Sequence, residues 1–205
     1  MATTLPPQST QPLAPVEPFT FPSRYSFPPF FTVQPTQSTR QAQLLRWSDL
    51  VQRYCRHHKI FLLHLQTALD TPLFHNAALR KRLSMNDARA VIDFMATPSA
   101  SSAAGTVGGG GDGRAEWLEG SQRGSAWIWW KKPEEWGNLI ASWVEETGQK
   151  GVVLTLYELV EGETTTTQEF YGLDMRVLQM ALQTQVKKGK AQVFGTEDEQ
   201  GVKFF

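Results

Sequence analysis

Apolar residues recur at helical spacing from about position 39 onward. Leu44, Trp47, Val51 and Tyr54 follow one another at intervals of 3, 4 and 3, which places them on one helix face. His57, His58 and Lys59 then suit the C-terminal end of that helix, where cations oppose the dipole. The apolar run 60–65 is too short for a helix of its own. Residues 77–83 predict a short basic helix. Ser84 stands three positions before Asp87, an approximate capping box. Behind it Ala88, Val91, Ile92 and Met95 make a second stripe, which Pro98 ends.

Further on, the period changes. Residues 115–118 and 126–130 read as the strands of a hairpin around a polar turn that holds Gly120 and Gly124. Trp127 and Trp129 share one strand face, Ile128 and Trp130 the other, so both faces are predicted to be covered. Pro133 opens the next helix, with Glu134 and Glu135 against its dipole. Trp136, Leu139, Ile140, Trp143, Val144 and Thr147 form its stripe, and Gly148 ends it. The run 152–156 is apolar and β-branched. Thr155 with Glu158 spells a capping box, predicting a short helix from Leu156. Residues 161–169 read as an acidic, Thr-rich surface loop. Met175, Leu178, Leu182 and Val186 form the last helix face, closed by Lys187, Lys188 and Gly189. Residues 191–194 and 202–205 read as a final hairpin.

The two halves share one order: helix, short apolar run, second long helix, terminal hairpin. That order is the winged variant of helix-turn-helix. The expected fold class is mainly α with small β-hairpins (α+β), as two tandem winged-helix domains after an extended Pro-rich N-terminal segment. The first covers 39–131, with a flexible Gly/Ser/Ala loop at 98–113, and the second covers 132–205. Trp130, Lys131, Lys132 and Pro133 run directly from strand into helix, so the two units are expected to hold a fixed arrangement.

The N-terminal region follows a different pattern. Residues 1–21 hold few large apolar side chains and read as a disordered tail. Residues 22–38 read as an extended docking segment. There Pro22, Tyr25, Phe27, Pro28, Pro29, Phe30 and Phe31 mix polyproline stiffness with rings that seek burial. Proline reduces the entropy lost when such a segment docks, and an aromatic in a partner pocket makes an anchor. The alternative is that Phe27, Phe30 and Phe31 fold back onto the first domain of the chain itself.

Composition narrows the function. The 205 residues carry 20 Lys+Arg and 20 Asp+Glu, so bulk charge does not hold this chain to nucleic acid. The one cysteine, Cys55, allows no intrachain disulfide and reads as a buried thiol of a reduced, intracellular chain. No secretory signal or spanning run is legible. The glycines at 108–111 lack the Lys-Ser/Thr ending of a phosphate loop. His57, His58, His64 and His75 make no metal constellation, and no catalytic set or cofactor site is found. The tryptophans read as core and domain joint.

Several blocks, taken in order, resemble one family. They are Phe27, Pro28, Pro29, Phe30, Phe31 and Thr32; Gln34 and Pro35; Thr39, Arg40, Gln41 and Trp47; and Pro72, Leu73, Phe74 and Asn76. They continue with Pro133, Glu134, Glu135, Trp136 and Gly137, then Leu139, Ile140 and Trp143; Thr155, Leu156, Tyr157, Glu158 and Leu159; Glu169, Phe170, Gly172 and Leu173; and the terminus Gly201, Val202, Lys203, Phe204, Phe205. Together they are similar to the small tandem winged-helix subunit of the endosomal sorting complex ESCRT-II, over about 25–205. The resemblance implies a non-catalytic subunit that sorts ubiquitinated membrane proteins into multivesicular bodies. It implies two copies per complex, each docked by Pro-Pro-x-aromatic motifs onto two larger winged-helix subunits. It further implies a second winged-helix domain that recruits the initiating ESCRT-III subunit. Pro28, Pro29 and Phe31 match that motif, and Pro22, Ser23 and Tyr25 form a degenerate first copy. The location implied is cytoplasmic, peripheral to endosome membrane, with indirect membrane contact.

A winged-helix DNA-binding regulator is the alternative. Against it, Asp87, Arg89 and Asp93 give the first candidate recognition helix no basic surplus, and the wing turn Glu197, Asp198, Glu199 would repel phosphate. Arg80, Lys81 and Arg82 read as a solvated basic face, or as a contact for an acidic lipid or partner.

Overall fold

The computed structural model describes residues 18–97, 113–195 and 200–205. The expectations for most of the tail, for the glycine-rich loop and for the acidic wing turn 197–199 lie outside the described residues.

The first unit is built on α1 (Gln37–His57), which begins two residues earlier than the periodicity predicts. Its buried side holds Leu44, Trp47, Leu50, Val51, Tyr54 and Cys55. Then come β1 (Leu62–His64) and α2 (Leu65–Ala68). The basic helix expected at 77–83 does not form. In its place stand β2 (His75–Asn76) and β3 (Lys81–Arg82), paired antiparallel. The cause is Asn76, whose side-chain carbonyl accepts the Leu79 N–H at 3.0 Å and closes a turn that competes with helix. Arg80 adopts φ +51 to complete that turn. Helix α3 (Met85–Ala96) is capped by the Ser84 hydroxyl, which accepts the Asp87 N–H at 3.0 Å. Strands β4 (Ala115–Trp117) and β5 (Ser125–Ile128) finish the unit in the order β1-β5-β4.

The second unit repeats the plan. Helix α4 (Pro133–Glu146) has the Glu135 carboxylate accepting the Lys132 N–H at 2.6 Å. After it come β6 (Val153–Thr155) and α5 (Leu156–Glu161), joined by the reciprocal box of Thr155 and Glu158. The 161–169 stretch lies largely at the surface, as expected, with one buried residue. It forms a 3-10 turn, Glu163–Thr165, and Thr165 is fully buried with its hydroxyl on the Gly162 carbonyl at 2.9 Å. Asp174 caps α6 (Met175–Lys187), and β7 (Ala191–Phe194) and β8 (Gly201–Phe204) complete a sheet of order β6-β8-β7. Helices α4 and α6 cross closely at Gly137, where a Cβ would stand 2.6 Å from the Ala181 carbonyl oxygen.

Two hydrophobic cores result, and β5 is the wall between them. Ala126 and Ile128 face the first core. Trp127 and Trp129 lie in the second, their rings stacked 5.7 Å apart. Phe61 also packs into the second core although it precedes β1 in the chain. Polar links reinforce this joint. The Glu169 carboxylate takes Arg56 at 3.1 Å and Lys131, and the Lys59 ammonium donates to the Tyr171 carbonyl at 2.7 Å. No described helix is long and apolar enough to cross a membrane.

Candidate functional site

The Pro/aromatic segment is not extended. Proline φ near −65° fits a 3-10 turn as well as polyproline II, and here two such turns form, Ser23–Ser26 and Pro28–Phe31. The Tyr25 N–H bonds the Pro22 carbonyl at 2.8 Å, and the Phe30 N–H bonds the Phe27 carbonyl at 2.9 Å. Burial of rings drives the choice, because the two turns bring Tyr25, Phe30 and Phe31 into the core of the first unit.

Those rings pack in sequence against α1. Phe19 meets Tyr54 edge-on at 5.1 Å, and Phe21 stacks on Tyr25 at 4.1 Å. Ordered packing therefore begins inside the stretch assigned to the disordered tail. Phe30 stacks on Trp47, and Phe31 meets the same indole edge-on at 5.7 Å. The Tyr25 hydroxyl bonds the Pro72 carbonyl and lies 3.1 Å from that of His75, while the Asn76 amide donates to the Tyr25 carbonyl at 2.9 Å. Burial pushes the Tyr25 phenol up to about 12, with the neighbouring Tyr54 adding to the shift.

A residue that sequence reasoning passed over organises the turn. Gln43 is buried on α1, and its amide donates to the carbonyls of Phe30 at 2.9 Å and Thr32 at 3.0 Å. Its own carbonyl accepts the Gln34 N–H at 3.0 Å, and the Trp47 indole N–H adds a bond to the Phe30 carbonyl at 3.1 Å. The available signal was a polar residue one place before Leu44 and four before Trp47, on the edge of the apolar stripe.

The seven candidate residues thus divide. Tyr25, Phe30 and Phe31 are core residues, and Pro22 is half-buried. Pro28 and Pro29 are exposed, and Phe27 is 60% exposed although it is a large ring. Phe27 and Pro29 border an open groove of about 570 Å³ that runs along α1 past Ser38, Thr39, Ala42 and Arg46. Phe27, Pro28 and Pro29 thus stand exposed above the buried rings of Tyr25, Phe30 and Phe31. Elsewhere, Cys55 is fully buried, and burial pushes its thiol pKa up, as expected for a thiol that only packs. Among the described residues no group of three His, Cys, Asp or Glu is placed to hold a metal.

Comparison with known proteins adds a family to this geometry. A family described as ESCRT-II complex subunit matches residues 24–174. The vacuolar protein-sorting-associated protein 25 of Homo sapiens is 41% identical over 187 residues, spanning 91% of this chain and 98% of that protein. Its Drosophila melanogaster counterpart is 39% identical over 188 residues, with 91% and 98% covered. Among solved structures, the chain is similar to crystalline subunit VPS25 of the endosomal trafficking complex ESCRT-II, with a TM-score of 0.72 and 25% identity over 90% of this chain and 98% of that one. A structure of the whole endosomal complex, VPS22/VPS25/VPS36, gives the same TM-score over 89% of this chain and 98% of the matched one.

Proposed function

Because the chain belongs to the family of ESCRT-II complex subunits, we propose that it is the small, non-catalytic adaptor of an endosomal sorting assembly. It docks through its N-terminal ridge onto the two larger ESCRT-II subunits, two copies to each complex. Its second winged-helix unit recruits the initiating ESCRT-III subunit. The assembly sorts ubiquitinated membrane proteins into multivesicular bodies. The chain works from the cytoplasm, peripheral to the endosome membrane, and touches lipid only through its partners. Pairing two adaptors on one core raises the local concentration of the downstream subunit without any chemistry.

One observation supports the docking role above the others: Phe27 is exposed between two buried clusters of rings. An exposed aromatic held by an ordered base has little entropy left to lose on binding, which is the property of an interface anchor. Tyr25, Phe30 and Phe31 fix the ridge from below, and Phe27, Pro28 and Pro29 meet the partner.

The test is co-expression of the full chain with the two larger ESCRT-II subunits, followed by size-exclusion chromatography. Phe27→Ala and Phe27→Ala with Pro29→Ala should keep the melting temperature of the free chain and lose co-elution. Normal co-elution of both folded variants would remove the ridge from the interface.

A further inference from the structure

Gln185 is fully buried on α6, and its side-chain oxygen has no hydrogen-bond partner among the described residues. The neighbours of Gln185 settle the orientation of its amide. The Lys188 ammonium can only donate, and it bonds the Asn138 side chain at 3.3 Å, so the Asn138 atom there is the oxygen Oδ1. Gln185 meets the same oxygen and must therefore present its Nε2, at 3.0 Å. That nitrogen fills the space left open by Gly137, 2.7 Å from where a Cβ would stand. With Nε2 held there, Oε1 is left without a donor. A buried acceptor in that state costs free energy until a donor reaches it.

Gln185 lines an open cavity of about 540 Å³ between α4, α6 and the end of β8, a size usual for small-ligand sites. Asn138 and Ser142 add polar groups from α4. Three ammoniums, those of Lys150, Lys188 and Lys190, border it against one carboxylate, that of Glu145. Lys150 takes up that carboxylate at 2.6 Å and holds it below its usual pKa, with Lys190 adding to the shift. Lys188 pairs with Glu134 at 2.6 Å, whereas Lys190 holds no ion pair among the described residues. Phe205 borders the same cavity with its ring 58% exposed. An occupant that suits this lining brings a donor for Gln185, negative charge for the lysines and an apolar face for the ring.

We propose that this cavity binds a phosphorylated polyol. A ring hydroxyl donates to the Gln185 Oε1, a phosphate accepts from Lys190 and Lys188, and the C–H face of the polyol ring lies on Phe205. A neutral sugar lacks the charge, and inorganic phosphate lacks the ring. Inositol phosphates carry all three features, either free in solution or as the headgroup of a lipid. Charge-assisted bonds of this kind are the strong ones in such a site. The cavity belongs to the second unit and shares no residue with the N-terminal docking segment.

The experiment titrates the full chain with inositol trisphosphate by isothermal calorimetry. Lys190→Ala removes the unpaired ammonium, and Gln185→Met removes the acceptor at similar length. Each should weaken binding about tenfold or more, and Gln185→Met should melt no lower than the parent, since the orphaned oxygen is gone. Lys187→Ala removes an equal charge from the same helix end but outside the cavity, and should bind as the parent does. If Gln185→Met does not fold, the Lys190 and Lys187 pair carries the test, because both side chains are exposed. Parental affinity in Lys190→Ala, equal losses in Lys187→Ala and Lys190→Ala, or no binding by the unsubstituted chain would each overturn the site. Sedimentation with phosphatidylcholine vesicles that contain phosphatidylinositol bisphosphate, lost in Lys190→Ala, would identify a lipid headgroup as the source. Binding of inositol trisphosphate without sedimentation would identify the free form, and either result supports the site.

Discussion

Phe30 lies flat on Trp47, with ring centroids 4.3 Å apart and planes 12° from parallel. Trp47 is the centre of the α1 stripe and is fully buried, so this stack joins the N-terminal motif to the first core. A residue that looks like a docking anchor in the sequence is in this fold a core residue. Phe30→Ala should therefore destabilise the first unit by about 3–5 kcal/mol, the range for removing a buried Phe. Urea unfolding followed by tryptophan fluorescence would measure it. A change below about 1 kcal/mol would mean that the turn does not belong to the cooperative core.

The Tyr25 phenol gives the same region a pH signature. In the unfolded chain a tyrosine ionises near its ordinary value of about 10, whereas here burial holds the proton to about 12. Above the unfolded value the unfolded state releases the proton first, so it gains stability relative to the fold. The contribution is fully present below about pH 10 and is lost as pH rises through about 12. Tyr25→Phe should make the fall in melting temperature over that window shallower. An unchanged slope would show that Tyr25 is not a source of the alkaline sensitivity.

Gly137 has no room for a methyl group. An added Cβ would meet the Ala181 carbonyl oxygen at 2.6 Å, the Gln185 amide at 2.7 Å and the Thr184 hydroxyl at 2.8 Å. Two of these groups can rotate away, but the backbone oxygen cannot. Gly137→Ala should cost about 1–3 kcal/mol by overpacking, despite the better helix propensity of alanine. Hydrogen exchange would report it as lost protection in α4 and α6 with α1 unaffected. Stabilisation instead would mean that the two helices separate without penalty.

Glu169 bridges the units through Arg56 and Lys131. Partly exposed pairs of this kind contribute only about 0–1 kcal/mol each, yet these lie across the joint and restrain its angle. In Glu169→Lys the melting temperature should change little while the joint loosens. Spin labels at Gln66→Cys and Gln183→Cys, one exposed site on each unit, would show a broader distance distribution. High salt should broaden the parent in the same direction, since exposed pairs are screened. An unchanged width in the variant would assign the angle to the aromatic packing alone.

How much of this was legible in the chain can be judged from particular residues. The helix faces, the Thr155–Glu158 box and the alternation at 126–130 come from local spacing, and the structure follows them. The expected helix at 77–83 failed because one amide, that of Asn76, bonded a nearby N–H and favoured a turn. The candidate segment was visible as a cluster of rings and prolines, but the ring that stays outside was not. Phe27, Phe30 and Phe31 are the same residue type within five positions, and nothing local separates them.

The sequence by itself determined the long helices, the internal repeat and the family, because each depends on the order of residue types along the chain. Tertiary structure decided which surfaces are left over. Trp127 is covered because a second unit follows β5, while Val153 and Phe205 stand exposed on the opposite side of their sheet from the buried Val202 and Phe204. Gln43 and Glu169 acquire roles only once distant backbone comes within hydrogen-bond reach of them. Exposure is a property of what lies opposite a residue, and a hydrophobic pattern records only that something must.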